Sequence, residues 1–311
     1  MIQLFKWSGS GYIETDTIEE NCWINVICPA KQELEQLSKA TCIPLDFLTD
    51  PLDIDERARI EIEEGNLLIV LRIPEYDEKN SEIPFVTLPA GIILANNNML
   101  ITVCSSDITD ILELHVGKAK NIVPSSKIGF VLRIFLRTAL LYLKFLKEIN
   151  RRTGDIEKEL QKSLKNEELI KLLNLEKSLV FFTTSLKSNE LMMERLLKIK
   201  TLKLNDDDED MLEDVIIENK QAIEMANIYS NILSGMMDAF ASVISNNLNA
   251  VMKILTSITI ILMIPTLIAS FYGMNIELPF QHSTYSAFIV LGISFSMSAL
   301  GVLFLMKKRW F

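Results

Sequence analysis

Two uncharged apolar runs near the end of the sequence constrain this chain more than any other feature. Residues 249–275 read NAVMKILTSITIILMIPTLIASFYGMN, polar at first and apolar from Ile254 to Phe271, with no charge after Lys253. A second run, Ala287 to Met306, follows a short loop and leads directly into Lys307-Lys308-Arg309. Each run, as a helix, is long enough to cross a hydrocarbon core of about 30 Å. A large body followed by a two-helix membrane hairpin is therefore expected. Lys253 and the Lys307-Lys308-Arg309 cluster flank the spans, while the loop from Asn275 to Ser286 has no Lys or Arg and carries Glu277. Positively charged flanks stay on the cytoplasmic side. Both termini and the body are expected in the cytoplasm of a cell whose inner or plasma membrane the chain crosses twice. The start, MIQLFKWSGSGY, lacks a basic-then-apolar pattern, so no cleaved leader is expected.

A net charge of −10 with 49% hydrophobic residues excludes a disordered chain. The acidic total argues against a nucleic-acid partner and suits a cation. Cys22, Cys28, Cys42 and Cys104 all lie in the body, where a reducing cytoplasm keeps them as free thiols. None forms a CxxC pair, and the two histidines are far apart, which argues against a structural zinc site. No nucleophile–base constellation or phosphate-cradling glycine loop is present, so an enzyme is not expected.

Residues 1–127 mix short strand-like and helical runs, an α+β cytoplasmic domain with its own core. Leu67–Leu71, Gly91–Leu94 and Met99–Val103 read as strands, and Lys31–Lys39 and Asp107–His115 as helices. Residues 128–204 carry leucine, lysine and glutamate at helical spacing with two glycines and no proline, which predicts a long helical hairpin broken near Lys165-Asn166. Residues 205–271 form a stalk helix that continues into the first span. Asn205 is its cap, and Asp206-Asp207-Asp208-Glu209-Asp210 fills its first turn. That acidic run suits a helix N-terminus; an ion-attracting ring is the other reading. Leu212, Val215, Asn219, Ala222, Ala226, Tyr229, Leu233, Met236, Phe240, Val243 and Asn247 step by three or four. A helix of ~95 Å at 1.5 Å per residue with one such seam needs a partner, and self-association about an axis would supply it. Residues 272–286 form the outer loop, 287–306 the second span and 307–311 a basic tail.

The stepping continues into the membrane. Asn249, Met252, Leu255, Thr259, Met263, Thr266 and Ser270 share one helix face, and the remainder of the span is mostly Ile and Leu. A face that alternates polar and flexible apolar residues can line a pore. It can equally be a helix–helix contact inside the hairpin, where small and polar residues also gather.

Tyr272-Gly273-Met274-Asn275 at the end of the first of two C-terminal spans resembles the signature of the CorA family of magnesium and divalent-cation transporters. Three further segments agree: Asn249-x-Val251-Met252-Lys253-x-Leu255-Thr256, the tail Lys307-Lys308-Arg309-Trp310, and Pro44-Leu45-x-x-Leu48-x-Asp50-x-Leu52-Asp53 followed by Arg57-x-Arg59 and Glu61. The resemblance implies a funnel-shaped homopentamer embedded in lipid, with the first span lining a pore and Tyr272, Gly273, Met274 and Asn275 forming its outer selectivity filter. It implies Mg2+ as the transported ion, held with its water by Asn275, and as a regulatory ion held by Asp50 and Asp214 between neighbouring cytoplasmic domains. Co2+ or Ni2+ could share the route. A related branch moves Zn2+ and usually has Gly-Ile-Asn in place of Gly-Met-Asn. Gly273 would permit backbone geometry that other residues cannot adopt. Without the resemblance, Asn275 reads as a helix C-cap and the two aspartates as surface acids. Thr49 stands where many members carry a second acid, and Ile128–Leu146 contains none, so a second sensor ion is not supported. A membrane-anchored coiled-coil protein that conducts nothing would explain the hairpin and the seam, but not the signature or the polar stripe.

Overall fold

The computed structural model of the protein describes residues 1–7, 12–18, 22–77, 82–96, 98–111, 127–162, 166–199, 205–274, 279 and 285–308. They form two units, Met1–Gly235 and Met236–Phe311.

The first unit is built on one sheet of seven strands. These are β1 (Ile2–Trp7), β2 (Tyr12–Glu14), β3 (Cys22–Ile27), β4 (Arg59–Glu63), β5 (Asn66–Tyr76), β6 (Phe85–Leu94) and β7 (Leu100–Cys104). Their spatial order is β2-β1-β3-β7-β6-β5-β4, and only β3 and β7 run parallel. Glu64 and Gly65, with φ of 50° and 80°, make the tight turn from β4 to β5, the conformation two-residue hairpins favour. The run Leu67–Leu71 does not alternate because β5 is covered on both faces. Leu67, Ile69, Leu71 and Ile73 enter one core; Leu68 and Val70 enter the other.

The second of these cores is closed by α1 (Lys31–Thr41), α2 (Leu45–Thr49) and a 3-10 turn at Asp50–Leu52. Here a Cβ on Gly91 would lie 2.3 Å from Pro51 Cγ, so β6 and the turn meet backbone against ring. A short helix, α3 (Ile108–Ile111), follows β7; the rest of the predicted helix to His115 lies outside the described residues. The first core is closed by α4 (Lys127–Lys162), α5 (Asn166–Leu196) and the start of α6 (Asp206–Tyr272). Phe130, Phe135, Met193 and Leu212 are among the side chains that meet there.

β4 ends its pairing at Arg59 opposite Val70, which leaves the backbone of Arg72 beyond it. Asn189 of α5 supplies the missing partner. Its Oδ1 accepts from Arg72 N–H at 2.9 Å and its Nδ2 donates to Arg72 C=O at 2.8 Å. Buried backbone groups require such partners. Tyr142 Oη donates to the same carbonyl at 3.1 Å, and its burial pushes the phenol well above its ordinary pKa. None of the four cysteines forms a disulfide; Cys22 and Cys104 are buried and Cys28 and Cys42 exposed.

The N-terminus of α6 is capped as the sequence predicts, by Asn205 Oδ1 accepting from Asp208 N–H at 2.7 Å. The seam, however, is not free for self-association along its first half. Leu212, Val215, Asn219, Ala222, Ala226 and Leu233 are already buried within one chain. Leu212 and Val215 belong to the first core, and Asn219 Nδ2 donates to Leu186 C=O of α5 at 3.0 Å. The stepping pattern correctly marks a covered face, but α4 and α5 do the covering there. Val243 and Asn247 remain exposed.

In the second unit the membrane part of α6 packs on α7 (Ser286–Lys307). Both helices are long and apolar enough to cross a membrane. Ser294, Ser298, Gly301 and Leu305 turn one stripe of α7 inward. A Cβ on Gly301 would come within 3.3 Å of Ile264 Cδ1, so small residues bring the helices close.

Candidate functional site

Which face of α6 the hairpin uses decides what the polar stripe can do. Within the span the covered and half-covered residues are Ser257, Ile261, Ile264, Pro265, Ile268 and Tyr272. Asn249, Met252, Leu255, Thr259, Met263, Thr266 and Ser270 are all exposed. At 3.6 residues per turn the two stripes are centred roughly 180° apart. The stripe is therefore not the contact between the two spans. Thr259 Oγ1 donates to Leu255 C=O at 2.9 Å and Thr266 Oγ1 to Leu262 C=O at 3.1 Å. Each hydroxyl proton is committed to the helix, so each oxygen faces outward as an acceptor. Met263 sits between the two threonines and Met252 and Leu255 precede them on the same stripe, with 63%, 51% and 57% of their surface exposed. They offer no oxygen that could replace water. Pro265, inside α6, lacks the N–H that would bond the carbonyl of Ile261.

At the end of α6, Tyr272 is half-buried and its Oη donates to Pro279 C=O at 3.1 Å, tying that residue to the helix. Gly273 N–H bonds to Ala269 C=O at 2.9 Å, and Met274 N–H to Phe271 C=O at 3.2 Å. The helical hydrogen bonding thus continues through Gly273, which does not adopt a positive φ. An added Cβ would meet Ala269 O at 3.4 Å, an ordinary contact. The expectation of special backbone geometry at Gly273 is corrected: helix continuation needs none. Met274 is exposed, and Asn275 lies outside the described residues, as does the tail from Arg309.

Asp50 opens the 3-10 turn after α2 and meets Arg59 of β4. Arg59 Nη2 donates to Asp50 Oδ2 at 2.6 Å, Nε donates to Glu56 Oε1 at 2.8 Å, and Nη1 donates to Glu61. One guanidinium is thus divided among three carboxylates. Burial pushes the Asp50 carboxyl above its ordinary pKa, further than Arg59 pulls it down, and Glu56 and Asp46 push it the same way as burial. A pair this short would usually lower a carboxylate's pKa; here burial, with Glu56 and Asp46 beside it, outweighs the pair. Arg72 holds the same loop from behind, donating to Ile54 C=O at 2.5 Å and Glu56 C=O at 2.9 Å. Sequence reasoning missed Arg72; its only signal was a lone cation in the apolar run of β5. Asp214 is exposed on α6. Among the described residues, no three His, Cys, Asp or Glu side chains of one chain are grouped to hold a metal. Asp206–Asp210 opens α6, with Asp208 largely buried and its neighbours exposed.

With this geometry in hand, known proteins supply a context. A family profile described as CorA-like Mg2+ transporter protein matches residues 19–308. The chain is 31% identical over 294 residues to the cobalt/magnesium transport protein CorA of Methanocaldococcus jannaschii, spanning 93% of this chain and 90% of that one. It is 27% identical over 310 residues to the magnesium transport protein CorA of Helicobacter pylori, spanning 94% and 92%. The complete structure of the CorA magnesium transporter from Methanocaldococcus jannaschii superposes with a TM-score of 0.84 at 26% identity, covering 100% of this chain and 99% of that one.

Proposed function

The chain belongs to the CorA-like Mg2+ transporter family, and from that premise we propose that it is a homopentameric channel carrying Mg2+ downhill into the cytoplasm. Transport of divalent cations is the family's role, and the chain is a transporter rather than an enzyme. The observation that carries the finer reading is the acceptor stripe on the side of α6 turned away from α7. Five such stripes around an axis would present oxygens from Asn249, Thr259, Thr266 and Ser270. Met252, Leu255 and Met263 would form apolar collars, which close a pore by excluding water. Met274 and Asn275 would ring the outer mouth. Co2+ and Ni2+ would share this path. Zn2+ is the alternative cargo, and Gly-Met-Asn in place of Gly-Ile-Asn favours Mg2+. Sealed vesicles carrying the purified protein should take up Mg2+ faster than protein-free vesicles. Equal rates would leave the non-conducting coiled-coil reading in place.

Regulation would come from Asp50 and Asp214 of adjacent chains holding a cytoplasmic Mg2+. The under-neutralised carboxylates around Arg59 support this role for Asp50. Five copies of a chain at −10 repel one another, and repulsion between exposed charges reaches only about 8 Å at physiological salt. An ion bridging two chains would favour the closed arrangement, and that difference in affinity shifts the population. Changing both residues (Asp50→Asn with Asp214→Asn) is expected to abolish the dependence of current on cytoplasmic Mg2+. A double variant with the wild-type midpoint and amplitude would show that these residues are not the sensor.

A further inference from the structure

A concave site lies in the first unit. Tyr76 and Phe85 are paired residues where β5 meets β6. Between them and the middle of α4 lies a cleft of about 590 Å3, within the range of small-molecule pockets. Its floor is aromatic and aliphatic. The ring of Phe85 stands 5.1 Å from Tyr76 and 5.4 Å from Phe145, and Leu140 and Leu143 complete the wall. Its rim is cationic: Lys144, Lys147 and Arg151 recur at three- and four-residue spacing along α4, and Arg152 lies 4.9 Å over the Tyr76 ring.

Glu148 is the one carboxylate in the lining. Arg151 and Arg152 each donate to it at 2.8 Å, and their hydrogen bonds draw its pKa down to about 2. Arg151 is also shared with Asp155 at 3.1 Å. The lining still holds four cations against one anion, in a chain whose net charge is −10. The adjoining cleft beyond Tyr76 and Arg152 is different. It carries Asp77, Glu82 and Asp155 and would repel an anion.

We propose that the cationic cleft binds a nucleoside triphosphate, preferentially without bound metal. Arg152 caps Tyr76 and the buried Phe85, so a planar base would lie against Phe145 and Leu140, where apolar burial acts. Lys144 and Lys147 face the phosphates. The Mg2+ complex is less negative by the charge of the ion, so a rim that supplies cations and no free carboxylate favours the uncomplexed form. If the protein is the Mg2+ channel proposed above, the cleft reports Mg2+ shortage, because uncomplexed triphosphate accumulates when the ion falls. That meaning rests on the transport reading; binding does not.

The test is isothermal titration of the full-length protein in detergent and Mg2+-free buffer, with ATP, adenosine and inorganic triphosphate as separate titrants. ATP should bind saturably and more tightly than either fragment, and equimolar Mg2+ should weaken it. Lys144→Glu with Lys147→Glu should weaken ATP binding by about tenfold or more. Leu140→Asp, at a position 42% exposed, should act likewise through the floor without threatening the fold. Absence of saturable ATP binding, or ATP binding unchanged in both variants, overturns the proposal. Inorganic triphosphate binding as tightly as ATP overturns the role of the aromatic floor. Because nothing here is read from ion flux, failure of this site and failure of the transport reading are separate results.

Discussion

Asn275→Ala is expected to reduce Mg2+ uptake to the level of protein-free vesicles while the oligomer stays assembled. Mg2+ holds its water at about 2.1 Å and releases it reluctantly. With a water radius of about 1.4 Å, the hydrated ion is roughly 7 Å across. A carboxamide accepts hydrogen bonds from that shell without displacing it, and alanine cannot. Aspartate would also accept, but its charge would hold the ion longer, and conduction requires binding weak enough to release. Asn275→Asp should therefore lower the rate while tightening apparent affinity. Flux into vesicles and native mass of the detergent-solubilised protein are the two measurements. Near wild-type flux in the alanine variant would remove Asn275 from the filter.

The second large effect is expected from a glycine in the sheet of the first unit. Gly91→Val should destabilise the first unit by about 1–3 kcal/mol, the usual range for overpacking a close-packed core. The backbone of β6 meets the ring of Pro51 so closely that even a Cβ would lie 2.8 Å from Pro51 Cβ and 2.3 Å from Cγ. Neither partner is a flexible side-chain tip. The least resistant response is displacement of the Asp50–Leu52 turn, which carries Asp50 away from Arg59. The variant should thus unfold at lower temperature and also respond differently to cytoplasmic Mg2+. Unchanged thermal unfolding would show that the strand and turn separate without cost.

The legible parts of this fold were those whose pattern has one cause. Leu67–Leu71 and Met99–Val103 read as strands because both faces of the sheet are covered. The break near Lys165-Asn166 separates α4 and α5. β4 was not legible: Arg59-Ile60-Glu61-Ile62-Glu63 lies on a sheet edge and carries charges that serve the Asp50 cluster. β3 was obscured by Asn25, a polar residue at 0% exposure. It is tolerated because Thr102 Oγ1 donates to Asn25 Oδ1 at 2.9 Å and Asn25 Nδ2 donates to Gln3 Oε1 at 3.0 Å. Periodicity located the seam from Leu212 but could not say which chain covers it, since burial by α5 and burial by a second copy leave the same spacing. The stripe from Asn249 to Ser270 was legible as a face. Its separation from α7 was not, because either side of the first span could have met Ser294 and Gly301.

The parallel pairing of β3 with β7 has a consequence for how the protein is made. Trp23 cannot find its neighbour Leu100 until the intervening strands have been synthesised, so the sheet closes late by the standard of a hairpin-only domain. Yet every buried residue of the two cores in the first unit lies between Phe5 and Ile216, ahead of the apolar run that begins at Ile254. Domains fold as units during synthesis. The ribosome therefore delivers everything needed for these two cores before the first membrane segment. A nascent chain whose body fails to close exposes that failure before insertion commits it to the bilayer.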